Sequence, residues 1–167
     1  MNLYRKVTAE IDDGPAGPEI GALFDFDGTL IAGFSVFAFF REQFARGELS
    51  REQLLKLAGA GAGYGLGNLG FSGLLVASAR MMADMSESQF MSLGREVFEK
   101  RIAKVIYPEA RAVADAHLRK GHTVAIVSSA TRFQVQAAAD ERGSEHVLCS
   151  ELEVVDDDAN HLVRIAS

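Results

Sequence analysis

Apolar and polar positions fall in blocks that predict strands and helices in alternation. Residues 20–26, IGALFDF, form a short apolar run closed by Asp27-Gly28, the pattern of a buried parallel strand running into a turn. His122–Val127 predicts a second strand and His146–Val155 a third. Residues 31–105 carry helical spacing instead, with Phe37, Phe40 and Phe44 at i, i+3 and i+7 on one face. Gly47 ends that helix. Ser50–Gln53 and Ser86–Gln89 each have the form of a capping box, in which the Ser oxygen and the Gln side chain serve each other's backbone N–H. Apolar stripes follow both boxes, through Leu54, Leu57 and Ala58 and through Phe90, Leu93, Val97 and Phe98.

Pro108 opens another helix, where its missing N–H is harmless. Arg119 and Lys120 sit at its negative end and Gly121 stops it. Ser128–Thr131 predicts a turn at the end of the second strand. Phe133–Arg142 is the helix after it, stopped by Gly143. Asp156–Asn160 reads as a solvated polar turn, with His161–Ile165 returning as a hairpin partner.

This order predicts an α/β fold, a Rossmann-like parallel sheet with right-handed crossovers. A chain of 167 residues allows one core and a small inserted module. The expected division is a lead-in over 1–19, a core over 20–33 and 106–167, and a helical insert over 34–105. The lead-in is expected to be loosely ordered, because Asp12–Pro18 holds two of the three prolines and two glycines. Leu57–Ala79 runs 23 residues without a charge, long enough to span a bilayer, but seven of them are glycine. Two short helices joined by a glycine loop are expected there, and contact with a membrane is the disfavoured alternative.

Lys plus Arg is 17 and Asp plus Glu is 23, giving a net charge of −6. A negative chain without a basic run is not expected to bind nucleic acid. Cys149 is the single cysteine, so neither an internal disulfide nor a thiolate cluster can form. It is expected to pack in a strand. The charged N-terminus is followed by no apolar segment, and a reducing, cytoplasmic setting is expected. His117, His122, His146 and His161 show no ligand spacing.

The candidate chemistry lies at two strand ends. Asp25 and Asp27 would point to opposite faces of a continuing strand, but Gly28 permits a turn that brings both to one mouth. Two acids there repel unless a cation lies between them, and Mg²⁺ favours oxygen ligands. One carboxylate can attack phosphorus, and the other can protonate the leaving oxygen and then activate water. Ser128, ending an apolar strand before a helix, can hold a phosphate with its hydroxyl and the amides that follow.

LFDFDGTL at Leu23–Leu30 resembles the first motif of the haloacid dehalogenase superfamily, and TVAIVSS at Thr123–Ser129 its second. The helical insert is similar to the cap of the phosphoserine-phosphatase-like subgroup. The resemblance extends to the phosphatase-like domain that some actinobacterial proteins carry ahead of a lysophosphatidate acyltransferase domain. It implies a Mg²⁺-dependent phosphomonoesterase with Asp25 as nucleophile and Asp27 as general acid and base. Mg²⁺ would be held by the Asp25 carboxylate and the Asp27 backbone carbonyl. Ser128 and Ser129, with Gly28 and Thr29, would bind the phosphoryl group.

Two positions depart from that pattern. The subgroup holds a substrate ammonium with a glutamate nine residues after the nucleophile, and Phe34 stands there. A small or lipid-related phosphate is therefore expected rather than serine phosphate. The family's third and fourth motifs supply a lysine and further metal carboxylates, yet no lysine follows Lys120. The resemblance thus implies a core incomplete at its C-terminal side, or a phosphate-binding module that does not turn over. A signalling receiver also bears a reactive aspartate at a strand end, but lacks the DxDGT string and the insert.

Overall fold

The structure, a computed structural model, describes residues 2–65, 85–144, 146–157 and 160–164. Strand β1 (Gly21–Phe24) pairs in parallel with β2 (Thr123–Thr131), which pairs in parallel with β3 (His146–Ser150). The register sets Phe24 beside Ile126 and Ile126 beside Val147. Helices α5 (Pro108–Arg119) and α6 (Arg132–Arg142) provide the connections around β2. This is a Rossmann-like α/β arrangement, as the alternation of patterns predicts.

Val124 and Ile126 point into the core, together with Ala138 and Ala139 of α6. The other face of the sheet carries Leu23 and Leu148, which are 69% and 61% exposed. A hairpin follows, β4 (Glu153–Asp157) paired antiparallel with β5 (Asn160–Arg164). The third strand expected over His146–Val155 is thus split at Glu151-Leu152 into β3 and β4. Asp156 and Asp157 belong to the hairpin, and Asp158 lies outside the described residues.

Between β1 and β2 the described residues are helical: α2 (Ser35–Ala45), α3 (Arg51–Gly65) and α4 (Glu87–Val97). A π-helical turn (Phe98–Ile102) and a 3₁₀ turn (Ala103–Val105) bring the chain back. Both capping boxes form: Gln53 N donates to Ser50 Oγ at 3.2 Å and Gln89 N to Ser86 Oγ at 3.3 Å. The buried face of α2 differs from the expected stripe. Val36, Phe39 and Phe40 are buried, whereas Phe37 and Phe44 are 42% and 51% exposed. Ser35 and Phe39 turn toward the core, which rotates Phe37 and Phe44 outward. Of the glycine-rich stretch 57–79, only residues up to Gly65 are described, within α3; residues 66–79 lie outside the described residues. No helix among the described residues is long and apolar enough to cross a membrane.

The loosely ordered lead-in is corrected. Helix α1 (Leu3–Asp13) packs on α5 through the half-buried Tyr4, Val7, Thr8 and Ile11, spaced as one helical face. Polar contacts pin the linker after it. Arg119 Nη2 reaches Asp12 Oδ1 at 3.2 Å and Lys120 Nζ donates to the Asp12 carbonyl at 2.9 Å. The Thr123 hydroxyl donates to the Pro18 carbonyl at 2.6 Å. The prolines and glycines thus shape a docked turn.

An ion cluster joins α2 to the returning π-helical turn. Glu42, only 4% exposed, accepts from Lys100 Nζ at 3.1 Å and Arg101 Nε at 2.8 Å. Those bonds hold its carboxyl below the usual carboxylate range against the opposing effect of burial. Its contribution to stability is therefore full above the ordinary value near 4.5 and is lost as pH falls through the lower, folded value. Glu42→Gln is expected to cost about 2 kcal/mol near neutrality. In urea melts across acid pH, the variant's loss should shrink below pH about 4.5. A constant deficit at all pH would rule out the charge as the cause.

Candidate active site

Asp25 follows β1 directly, and the chain then turns. Phe26 and Ile31, each 1% exposed, anchor the loop on either side of the turn. The Phe26 carbonyl accepts from Leu30 N at 3.0 Å and Ile31 N at 3.1 Å. Gly28 lies at φ +75°, a left-handed conformation that side chains resist. The outgoing and returning crossings of the insert pair here, with Ile31 bridging Ile106, Ala32 N donating to Val105 O at 2.8 Å and Tyr107 N to Leu30 O at 3.0 Å.

The turn sets the two acids in different surroundings. Asp25 is exposed, and Thr29 Oγ1 donates to its Oδ2 at 3.1 Å. Asp27 is half-buried, and its Oδ1 accepts from Ser35 N at 2.7 Å while its Oδ2 accepts from Ser35 Oγ at 3.2 Å. Burial holds the Asp27 carboxyl above its ordinary range, opposed by both Ser35 bonds and reinforced by the negative Asp25.

Ser128 lies near the end of β2, the strand beside β1. Its Oγ accepts from Ala130 N at 3.1 Å, which leaves the hydroxyl hydrogen available. Ser129 is exposed, and its carbonyl accepts from Ser150 Oγ at 2.8 Å. The turn expected over Ser128–Thr131 is instead an irregular continuation of β2, with a register shift between Val127 and Thr131. Thr131, not Ser128, caps α6, so Ser128 stands a step back from the helix start.

The phosphate-loop residues are also used locally. Gly28 N donates to the Gly33 carbonyl at 2.9 Å, so this N–H is committed to the turn rather than open to a phosphate. Thr29 turns its hydroxyl to Asp25 and orients that carboxylate. Sequence reasoning missed Ser35 and Gln134, both buried and both linked to Asp27. The available signal was Thr131-x-x-Gln134, a third capping-box pattern. Cys149 is half-buried in β3 with its thiol pushed up by burial, as expected of a packed residue. His117 Nδ1 meets His122 Nδ1 at 2.8 Å, and His122 Nε2 lies 2.9 Å from the Pro15 carbonyl. These two histidines serve the docking of the N-terminal segment.

The donor set suits a hard cation. Two carboxylates meet at one loop without a cationic partner among the described residues. The Asp27 carbonyl accepts no backbone hydrogen bond within this loop. Among the described residues, no group of three metal-ligating side chains gathers.

Solved structures share this fold. No curated protein matches the chain. A HAD family hydrolase of Salmonella enterica serovar Typhi is 17% identical with a TM-score of 0.63, over 89% of this chain and 45% of its own. A Bordetella pertussis protein of unknown function is 22% identical with a TM-score of 0.71, over 85% and 63%. A phosphoserine phosphatase captured as a phospho-aspartyl intermediate analogue is 19% identical with a TM-score of 0.56, over 86% and 60%. This chain therefore spans about half to two thirds of the length of these three structures. The likeness shows a shared fold. The model of the haloacid dehalogenase-like hydrolases matches residues 22–166, nearly the whole chain, and the chain belongs to that family.

Proposed function

We propose that the chain hydrolyses phosphomonoesters through an aspartyl-phosphate on Asp25. The observation that carries this reading is the pairing of an exposed Asp25 with a half-buried Asp27 whose carboxyl is raised above its ordinary range, both in one loop beside the Ser128 strand end. Asp25 attacks phosphorus as the ester bond breaks, and Asp27 gives its proton to the departing oxygen. Asp27 then takes a proton from the water that attacks phosphorus, which releases phosphate and restores the Asp25 carboxylate and the Asp27 acid. Ser128 Oγ and the Ser129 amide hold phosphoryl oxygens. The Asp25 carboxylate and the Asp27 carbonyl would hold Mg²⁺, which neutralises phosphate charge when bound.

Residues 34–105 act as a cap over this loop, with residues 20–33 and 106–167 as the core. Phe34 is 40% exposed and packs edge-on against Phe37 at 6.2 Å, which supports a small or lipid-related phosphate rather than an amino-acid one. A fused acyltransferase domain would fit such a substrate. The test uses the purified chain with Mg²⁺ and p-nitrophenyl phosphate. Steady phosphate release is expected, lost with a chelator and lowered roughly a hundredfold by Ser128→Ala. No release above a metal-free blank would reject the proposal.

Stabilisation of the chain by beryllofluoride and Mg²⁺ without any phosphate release would instead mark a module that binds a phosphorylated ligand without turnover.

A further inference from the structure

Asp27 sits at one end of a line of hydrogen bonds that crosses the molecule. Ser35, fully buried at the start of α2, donates to both of its oxygens. Gln134, buried in the first turn of α6, donates from Nε2 to Ser35 Oγ at 3.0 Å. Its Oε1 accepts from Thr131 N at 2.8 Å and from Thr131 Oγ1 at 2.9 Å. Asp27 and Thr131 are 104 positions apart in sequence, yet two side chains, Ser35 and Gln134, join them through three successive links.

The polarity of this line is fixed by one group that cannot reverse. A backbone N–H only donates, so the Thr131 amide forces the Gln134 oxygen toward itself. The Gln134 nitrogen must then face Ser35. Ser35 Oγ has a single hydrogen and receives one from Gln134, so its own goes to Asp27. Every bond therefore donates toward the carboxylate. The shorter contact, Ser35 N to Oδ1, pins one oxygen. The longer one, Ser35 Oγ to Oδ2, leaves the other oxygen the less tightly held.

We propose that Gln134 is a positioning residue for the Asp27 carboxylate, acting through Ser35, and that it ties this carboxylate to the Thr131 strand end behind Ser128. This rests on the reading of Asp27 as the acid that protonates the leaving oxygen. A shape-conserving Gln134→Met removes both the donor and the acceptor. Ser35 Oγ is then free to rotate, and Asp27 loses its fixed direction.

The test compares two substrates. A misdirected acid matters most when the leaving oxygen is strongly basic, and least when it leaves unaided. With an alkyl phosphate, Gln134→Met is expected to lower kcat/KM about tenfold or more. With p-nitrophenyl phosphate the loss should be less than about threefold. Ser35→Ala added to Gln134→Met should lower the alkyl-phosphate rate little further, because both act on one line. Equal losses on the two substrates, or independent effects of the two substitutions, would overturn the proposal; a general weakening of the fold would give equal losses. If the parent turns over neither substrate, the hydrolase reading fails by itself. A crystal structure of Gln134→Met then decides the positioning role: Asp27 held as in the parent rejects it, and a rotated carboxylate sustains it.

Discussion

Asp25→Asn is expected to lower phosphate release by roughly a thousandfold or more while leaving the thermal midpoint unchanged or slightly raised. A carboxamide has the shape of a carboxylate but is too weak a nucleophile to attack phosphorus. The same change also removes a negative charge that pushes the Asp27 carboxyl upward. Thr29 Oγ1, 3.1 Å from Asp25 Oδ2, can still donate to the carboxamide oxygen, so the loop keeps its anchor. Lost activity with unimpaired stability separates chemistry from folding. Phosphate release and a thermal melt on one preparation check both. More than a tenth of parental turnover would end the role of Asp25 as nucleophile.

Gly94→Ala should be the most damaging small substitution to the fold. Gly94 lies in α4 where it crosses the start of α6. A methyl group there would overlap the Phe133 carbonyl oxygen and lie 3.3 Å from the Phe133 carbonyl carbon. Those are backbone atoms of the first turn of α6 and cannot swing aside. The two helices must part, which costs on the order of 3 kcal/mol, against at most about 1 kcal/mol gained from alanine's helix propensity. Urea unfolding should show a net loss of about 2 kcal/mol or more. Thr131 and Gln134 lie on the same turn of chain, so turnover should fall as well. A variant as stable as the parent would mean that the helices can separate freely there.

What could be read from the sequence follows how local each feature is. The capping boxes at Ser50 and Ser86 are complete within four residues, so pattern and structure agree. The strand ends carrying Asp25 and Ser128 were legible because each apolar run stops at polar residues, even though Leu23 and Val127 of those runs are exposed. The docking of α1 was not, since Asp12 and Pro18 find partners more than a hundred positions away. Phe37 and Phe44 share the helical period of Phe40, but periodicity alone does not say which face meets the core. The line from Asp27 to Thr131 was hidden for the same reason: Ser35 and Gln134 are unremarkable polar residues until the fold brings α2 against α6.

The paired crossings at Ile31 and Ile106 also have a mechanical meaning. A single tether lets an attached body swing and spin. Two tethers laid side by side, and laced by hydrogen bonds at Ala32 and Tyr107, act like the barrel of a door hinge. They oppose torsion. With α2 and α4 also packed on α6, any rocking of the inserted helices would have to part those contacts and would tug on Ser35, the first residue of α2.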